Sequence, residues 1–253
     1  MNSRRLRRRR SWAQLAAVGS LLVGALPVPR SVLPALATPE IVAVRGVPSS
    51  LGANYGPAVT LTGGVIAAPT GSGLELYGLG QPGAPLLGRF RTPGTIAYAS
   101  AAGTTVFLFT GACGVVAVDA ANPSAPAAVG SVGDLGPVTL GAAAPSGGGV
   151  LAAFGSTIQF LSWDVASGFT LRRTLTYSDG RVVRAIAARG DSFLVASVRN
   201  STRLTLTTYR MRAGVAAPDS LDEAPFNGHE AEDVAWSGAT AFVADGDRGI
   251  LTV

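Results

Sequence analysis

One phrase recurs in degraded copies about every 45 residues along this chain, and a fixed period of that length means an array of similar units. The clearest copy ends the chain. Ala231 to Gly238 reads as a strand running into a tight turn, Thr240 to Ala244 as a second strand, Asp245-Gly246-Asp247-Arg248-Gly249 as another turn, and Ile250 to Val253 as a third strand. Overlaying the copies predicts first strands at Ala58–Thr62, Thr95–Ser100, Val138–Gly141, Val182–Ala187 and Asp233–Ser237. Second strands are predicted at Gly64–Ala68, Thr105–Phe109, Val150–Phe154, Ser192–Ala196 and Thr240–Ala244. Third strands follow at Leu74–Leu79, Val115–Ala120, Ile158–Trp163, Thr205–Arg210 and Ile250–Val253, starting 41 to 47 residues apart. Many positions are apolar on both faces, the pattern of strands buried between neighbouring sheets.

A fourth strand is predicted at Pro85–Phe90, Pro126–Val132, Phe169–Tyr177 and, in a poorer acidic stretch, near Asp219–Glu223. Pro82, Pro85, Pro123 and Pro126 cluster at its start. Proline lacks a ladder donor and belongs on an edge, so the fourth strand should be the outer edge of each unit. Four antiparallel strands repeated at this period describe a propeller blade, and the expected fold is an all-β propeller of five four-stranded blades. The fifth unit runs out after its third strand, while Ile41–Val47 is an apolar strand that belongs to no unit. Pairing of Ile41–Val47 outside Ile250–Val253 would complete the last blade and remove an exposed edge. The competing expectation is a longer surface protein of which this chain is a fragment.

The first 37 residues read as an export signal rather than as part of the fold. Arg4, Arg5, Arg7, Arg8, Arg9 and Arg10 form a cationic start, Trp12 to Leu26 is uncharged and mostly apolar, and Ala35-Leu36-Ala37 offers small residues at a cleavage site. Arg9-Arg10-Ser11-Trp12 loosely fits a twin-arginine signal, and the general secretory route stays open. The apolar run is shorter than the ~20 residues a membrane span needs and is broken by Pro27 and Pro29, so contact with a membrane is expected only if the segment stays uncleaved. The whole chain carries a formal charge of +5, but seven arginines and no acid lie in this segment, so residues 38–253 sit near −2. That leaves no basic footprint for nucleic acid. The single cysteine, Cys113, has no partner for an intrachain disulfide and reads as a small buried residue.

The stretch Asp233-Val234-Ala235-Trp236-Ser237-Gly238 through Ala241-Phe242-Val243-Ala244-Asp245 to Gly249-Ile250-Leu251-Thr252-Val253 resembles the LVIVD-repeat family. A second match is Gly114-Val115-Val116-Ala117-Val118-Asp119-Ala120-Ala121-Asn122-Pro123-Ser124-Ala125-Pro126, with Val129-Gly130-Ser131 fitting the strand after it; a degraded third runs from Leu79 to Gly88. The third and fourth units depart from the pattern, with Leu161-Ser162-Trp163-Asp164 and Thr207-Thr208-Tyr209-Arg210 in its place. The resemblance implies an exported or surface protein of bacterial or archaeal type with a propeller-like fold. The family pattern is structural and implies no catalytic residues. Its Asn122-Pro123 turn has a mechanical sense: the asparagine bonds its own backbone and the proline presets φ, reversing the chain between third and fourth strands.

Chemistry could gather in one place. His229, the only histidine, lies in Asn227-Gly228-His229-Glu230-Ala231-Glu232-Asp233, a loop leading into the innermost strand of the last blade and hence to the mouth of a central channel. Glu230, Glu232 and Asp233 could hold a hard cation such as Ca²⁺, with His229 beside them. The plain alternative is a solvated acidic loop. No HExxH and no Cys/His set is present, which argues against zinc, and no cofactor is expected. Asp245 to Gly249 begins like a calcium loop but lacks the downstream glutamate and reads as a hairpin turn. Gly71/Gly73, Gly78/Gly80 and Gly147–Gly149 sit at turns with no helix after them, so they are not phosphate loops. No serine lies in a nucleophile-elbow pattern. Trp163 and Trp236 fall in strands and read as core.

The expectation is therefore an exported, non-enzymatic propeller, periplasmic, surface-bound or extracellular, monomeric, engaging a protein or cell-surface ligand. The rival is a propeller hydrolase or lyase acting through His229, Glu230, Glu232 and Asp233 at the channel mouth.

Overall fold

The structure, a computed structural model, describes residues 58–253 apart from 72, 81, 112, 113, 145–147, 201, 202, 213–217, 228 and the side chain of 247. Residues 1–37, the Ile41–Val47 strand and Cys113 lie outside the described residues. The fold is a five-bladed β-propeller. Blade 1 comprises β1 (Val59–Leu61), β2 (Val65–Pro69), β3 (Gly73–Gly78) and β4 (Leu86–Arg91). Blade 2 comprises β5 (Ile96–Ala102), β6 (Thr105–Thr110), β7 (Gly114–Asp119) and β8 (Ala127–Val132). Blade 3 follows with β9 (Leu140–Ala143), β10 (Gly149–Phe154), β11 (Thr157–Asp164) and β12 (Gly168–Thr176), and blade 4 with β13 (Val182–Arg189), β14 (Ser192–Arg199), β15 (Arg203–Arg210) and β16 (Asp219–Asn227). Blade 5 has three strands, β17 (Asp233–Ser237), β18 (Thr240–Ala244) and β19 (Ile250–Thr252). Strands pair in chain order as antiparallel meanders, so the fourth strand is the outer edge of each complete blade, as the prolines require.

Four apolar clusters join successive blades, and they explain the two-faced apolar runs. On β6, Val106 and Leu108 turn toward blade 1, while Phe107 and Phe109 turn toward blade 3. On β14, Phe193 and Val195 pack on blade 3, and Leu194, Ala196 and Val198 on blade 5. Period-2 alternation thus sends every second residue into a different interblade core, and both faces of these strands are mostly apolar. Contact between blades is close: a Cβ added at Gly141 on β9 would run into the Phe109 ring. Trp163 belongs to this packing, tilted against Phe169 at 4.5 Å and edge-on to Phe107 at 5.8 Å.

The fourth strand of each of blades 1 to 4 carries one β-bulge, placing an extra residue at Leu87, Val129, Arg172 and Leu221. A bulge twists a strand away from flat pairing and blunts an edge that would otherwise invite another chain. The acidic stretch of blade 4 runs further than its sequence suggests. It continues through Pro225 to Asn227, because an outer strand can accommodate a proline that makes no ladder bond.

Candidate functional site

The loop from β16 into β17 and the turn from β18 to β19 meet at one end of blade 5. Strand direction dictates this meeting: Asp233, the first residue of β17, pairs with Ala244, the last of β18. The Glu232 amide donates to the Ala244 carbonyl at 2.9 Å, so the ladder extends one residue into the loop. The turn that follows is a single 3₁₀ turn, Gly246–Arg248, closed by the Arg248 amide on the Asp245 carbonyl at 2.9 Å and the Asp245 amide on the Gly249 carbonyl at 2.8 Å.

Asp245 is the centre of the site. It is only 3 % exposed and accepts two hydrogen bonds from the incoming loop: His229 Nδ1 to Oδ2 at 2.5 Å, and the Glu230 amide to Oδ1 at 2.7 Å. Burial alone would push this carboxyl up. The His229 and Glu230 hydrogen bonds, with the nearby charges of His229 and Arg248, outweigh burial and hold it below the usual carboxylate range. The imidazole stays 30 % exposed and stands edge-on to Phe226 at 6.4 Å. With Asp245 ionised, Nδ1–H is the donor of this bond, which leaves Nε2 as the ring's other polar atom.

The four candidates from the sequence separate into two groups. His229 and Glu230 are tied to Asp245 through ring and amide. The carboxylates of Glu230 and Glu232 both reach to 3.9–4.0 Å of the point where a Cβ would stand on Gly246. Asp233 is apart from them, half-buried, with its Oδ1 accepting the Val234 amide at 2.8 Å. Burial raises its pKa against that hydrogen bond. Its charge helps raise the Tyr98 hydroxyl on β5, which burial chiefly pushes to about 12. Among the described residues no group of three or more His, Cys, Asp or Glu side chains comes together as a metal cage.

Asp245 is the residue of this cluster that the sequence does not single out: Asp-Gly between two strands reads as turn chemistry alone. The signal that could have found it is the lone histidine in a loop bound to cross that turn. Chemically, a buried carboxylate orienting a half-exposed imidazole is the arrangement of a general base with its orienting acid. Among the described residues no serine, threonine or cysteine side chain hydrogen-bonds to the ring. No protein-family model matches the chain, and no curated protein is significantly similar to it.

Proposed function

We propose that this chain is an exported propeller of the LVIVD-repeat type that works as a non-enzymatic interaction module at or outside the cell envelope. Residues 1–37 serve as its export signal, residues 38–253 form the working domain, and Ile41–Val47 completes blade 5. One observation carries the reading. The residues that make the repeat recognisable are spent on packing and turns: Val115, Ala117, Val116 and Val118 fill two interblade cores, and Asn122 bonds the Ser124 amide and hydroxyl. What varies between blades is the loop end, where His229, Glu230 and Glu232 project, and a rigid scaffold with variable loops is the form recognition modules take. A photo-crosslinking residue at Glu232, compared with one at Ala127 on the outer strand of blade 2, tests this in the exporting cell. A discrete adduct from position 232 in the envelope fraction is expected. No adduct from either position, or retention of the chain in the cytoplasm, would sink the reading.

A second reading rests on the His229–Asp245 pair alone: a hydrolase or lyase in which Nε2 takes a proton from water or substrate. Turnover of an ester, glycoside or uronate panel that His229→Ala abolishes would replace the first reading with this one.

A further inference from the structure

The geometry points to an oxyanion-binding cleft on the blade 3 side of blade 4, built on Arg199 and Arg203, which takes one carboxylate or phosphate group of a small molecule. Register supplies the first reason. Arg199 ends β14, Arg203 begins β15, and the two are direct cross-strand partners. Two cations placed opposite each other on one face of a sheet repel, an arrangement that costs stability unless something neutralises it. Neither guanidinium has a hydrogen bond or ion pair among the described residues, although Arg199 feels the charge of Asp179.

The surroundings form a built site rather than an open surface. A cleft of about 380 Å³ is lined by both arginines, with Thr205 at its buried floor and Pro225 on one wall. These residues share the face of blade 4 that turns toward blade 3, since Thr205 alternates with Leu204 and Leu206, which pack on blade 5. The opposite wall is Arg181, and it is locked. Its guanidinium meets Asp179 at 2.9 Å and Glu223 at 2.8 Å, and lies 4.4 Å from the centroid of the Tyr177 ring. Both carboxylates of the cleft are thereby committed to Arg181, which leaves Arg199 and Arg203 as the surplus cations. Arginine forks match the two oxygens of a carboxylate or phosphate, and two forks on adjacent strands can grip one such group from both sides. Asp179 and Glu223 fix the selectivity: a second negative charge on the ligand would meet them.

The site stands on other residues than His229 and Asp245, and its failure leaves the function proposed above untouched. The test is a titration of the full chain with inorganic phosphate and, separately, with acetate. Ionic strength is held constant with chloride, and the arginine Nε–H resonances are followed by NMR. Saturating shifts confined to Arg199 and Arg203 are expected, and the anion that saturates first identifies the group the cleft prefers. Arg199→Gln and Arg203→Gln should each weaken binding at least fivefold, while Arg91→Gln, at an exposed position on β4, should leave it unchanged. Both cleft variants change exposed hairpin residues, and an unaltered thermal transition will confirm their folding. Linear shifts that match those at Arg91, or saturation that survives both cleft substitutions, would overturn the assignment.

Discussion

Blades 2 and 5 are built on the same phrase at a constant offset of 135 residues, yet they use it differently. Gly103 and Gly238 make the same left-handed turn between first and second strands, with φ of +63° and +56°. Beyond that turn the blades diverge. The third strand of blade 2 is buried almost throughout, beneath β8 and between blades 1 and 3. The matching strand of blade 5 is the outermost described strand, and Ile250 is 54 % exposed where Val115 is fully buried. Position 110/245 differs in kind. Thr110 is buried and donates to the Gly114 carbonyl at 3.1 Å, tying its own turn. Asp245 instead reaches out to hold the loop arriving from blade 4. Position 98/233 holds Tyr98, packed against the core between blades 2 and 3, in one blade and the half-buried Asp233 in the other. A repeat position fixes burial and strand geometry, and the residue placed there decides what it grips.

The largest expected effect separates the two cores. Phe107→Ala should cost about 3–5 kcal/mol in urea unfolding, as for other buried aromatic truncations. Leu251→Ala, at the half-buried strand of blade 5, should cost about 1–2 kcal/mol; equal losses would break the comparison. Next comes the 110/245 position. Asp245→Ala should cost about 2–3 kcal/mol, because it removes two hydrogen bonds to a buried charge, against roughly 1 kcal/mol for Thr110→Ala. The Asp245 contribution should depend on pH with a definite sign. Its folded pKa is depressed, so the advantage of the native protein over Asp245→Asn is fully present above roughly pH 4, the unfolded value. It fades as pH falls through the folded pKa. A difference that instead grew in acid would contradict the hydrogen-bond geometry.

Smaller effects sharpen the parallel. Gly103→Ala and Gly238→Ala should each lose about 1–2 kcal/mol and lose it equally, since both turns need the same left-handed backbone with nothing crowding the Cβ. Smallest is Asp233→Asn, which should raise the thermal midpoint slightly at neutral pH. Burial raises the folded pKa of Asp233, so ionisation costs stability above that pKa and the cost disappears below the unfolded value. A lower midpoint for Asp233→Asn at pH 7 would show that the charge is held by a partner rather than merely tolerated.

Much of the scaffold is legible in the sequence because strand, turn and proline signals are local. Asp233–Ser237 and Thr240–Ala244 match the observed strands end to end, and the outer place of the fourth strand follows from proline chemistry. The bulges at Leu87, Val129, Arg172 and Leu221 are not legible, because an extra residue is visible only once the partner strand is in register. The His229–Asp245 pair and the Arg199–Arg203 pair were missed for the same reason. Each joins residues on separate segments, and a carboxylate in a turn or an arginine beside a hairpin has an ordinary local reading. Arg199-Asn200-Ser201-Thr202-Arg203 does carry a clue, since a connection of only three residues between two long strands sets its flanking residues opposite each other.

The proposed completion of blade 5 by Ile41–Val47 is the most direct test of the whole architecture, and amide hydrogen exchange at Ile250 and Thr252, whose N–H groups point away from β18, measures it. Pairing predicts slow exchange at those amides in the full chain and fast exchange in Val44→Pro, whose proline cannot donate to the ladder. Fast exchange at Ile250 and Thr252 in the unaltered protein, or protection there that Val44→Pro leaves intact, would contradict it.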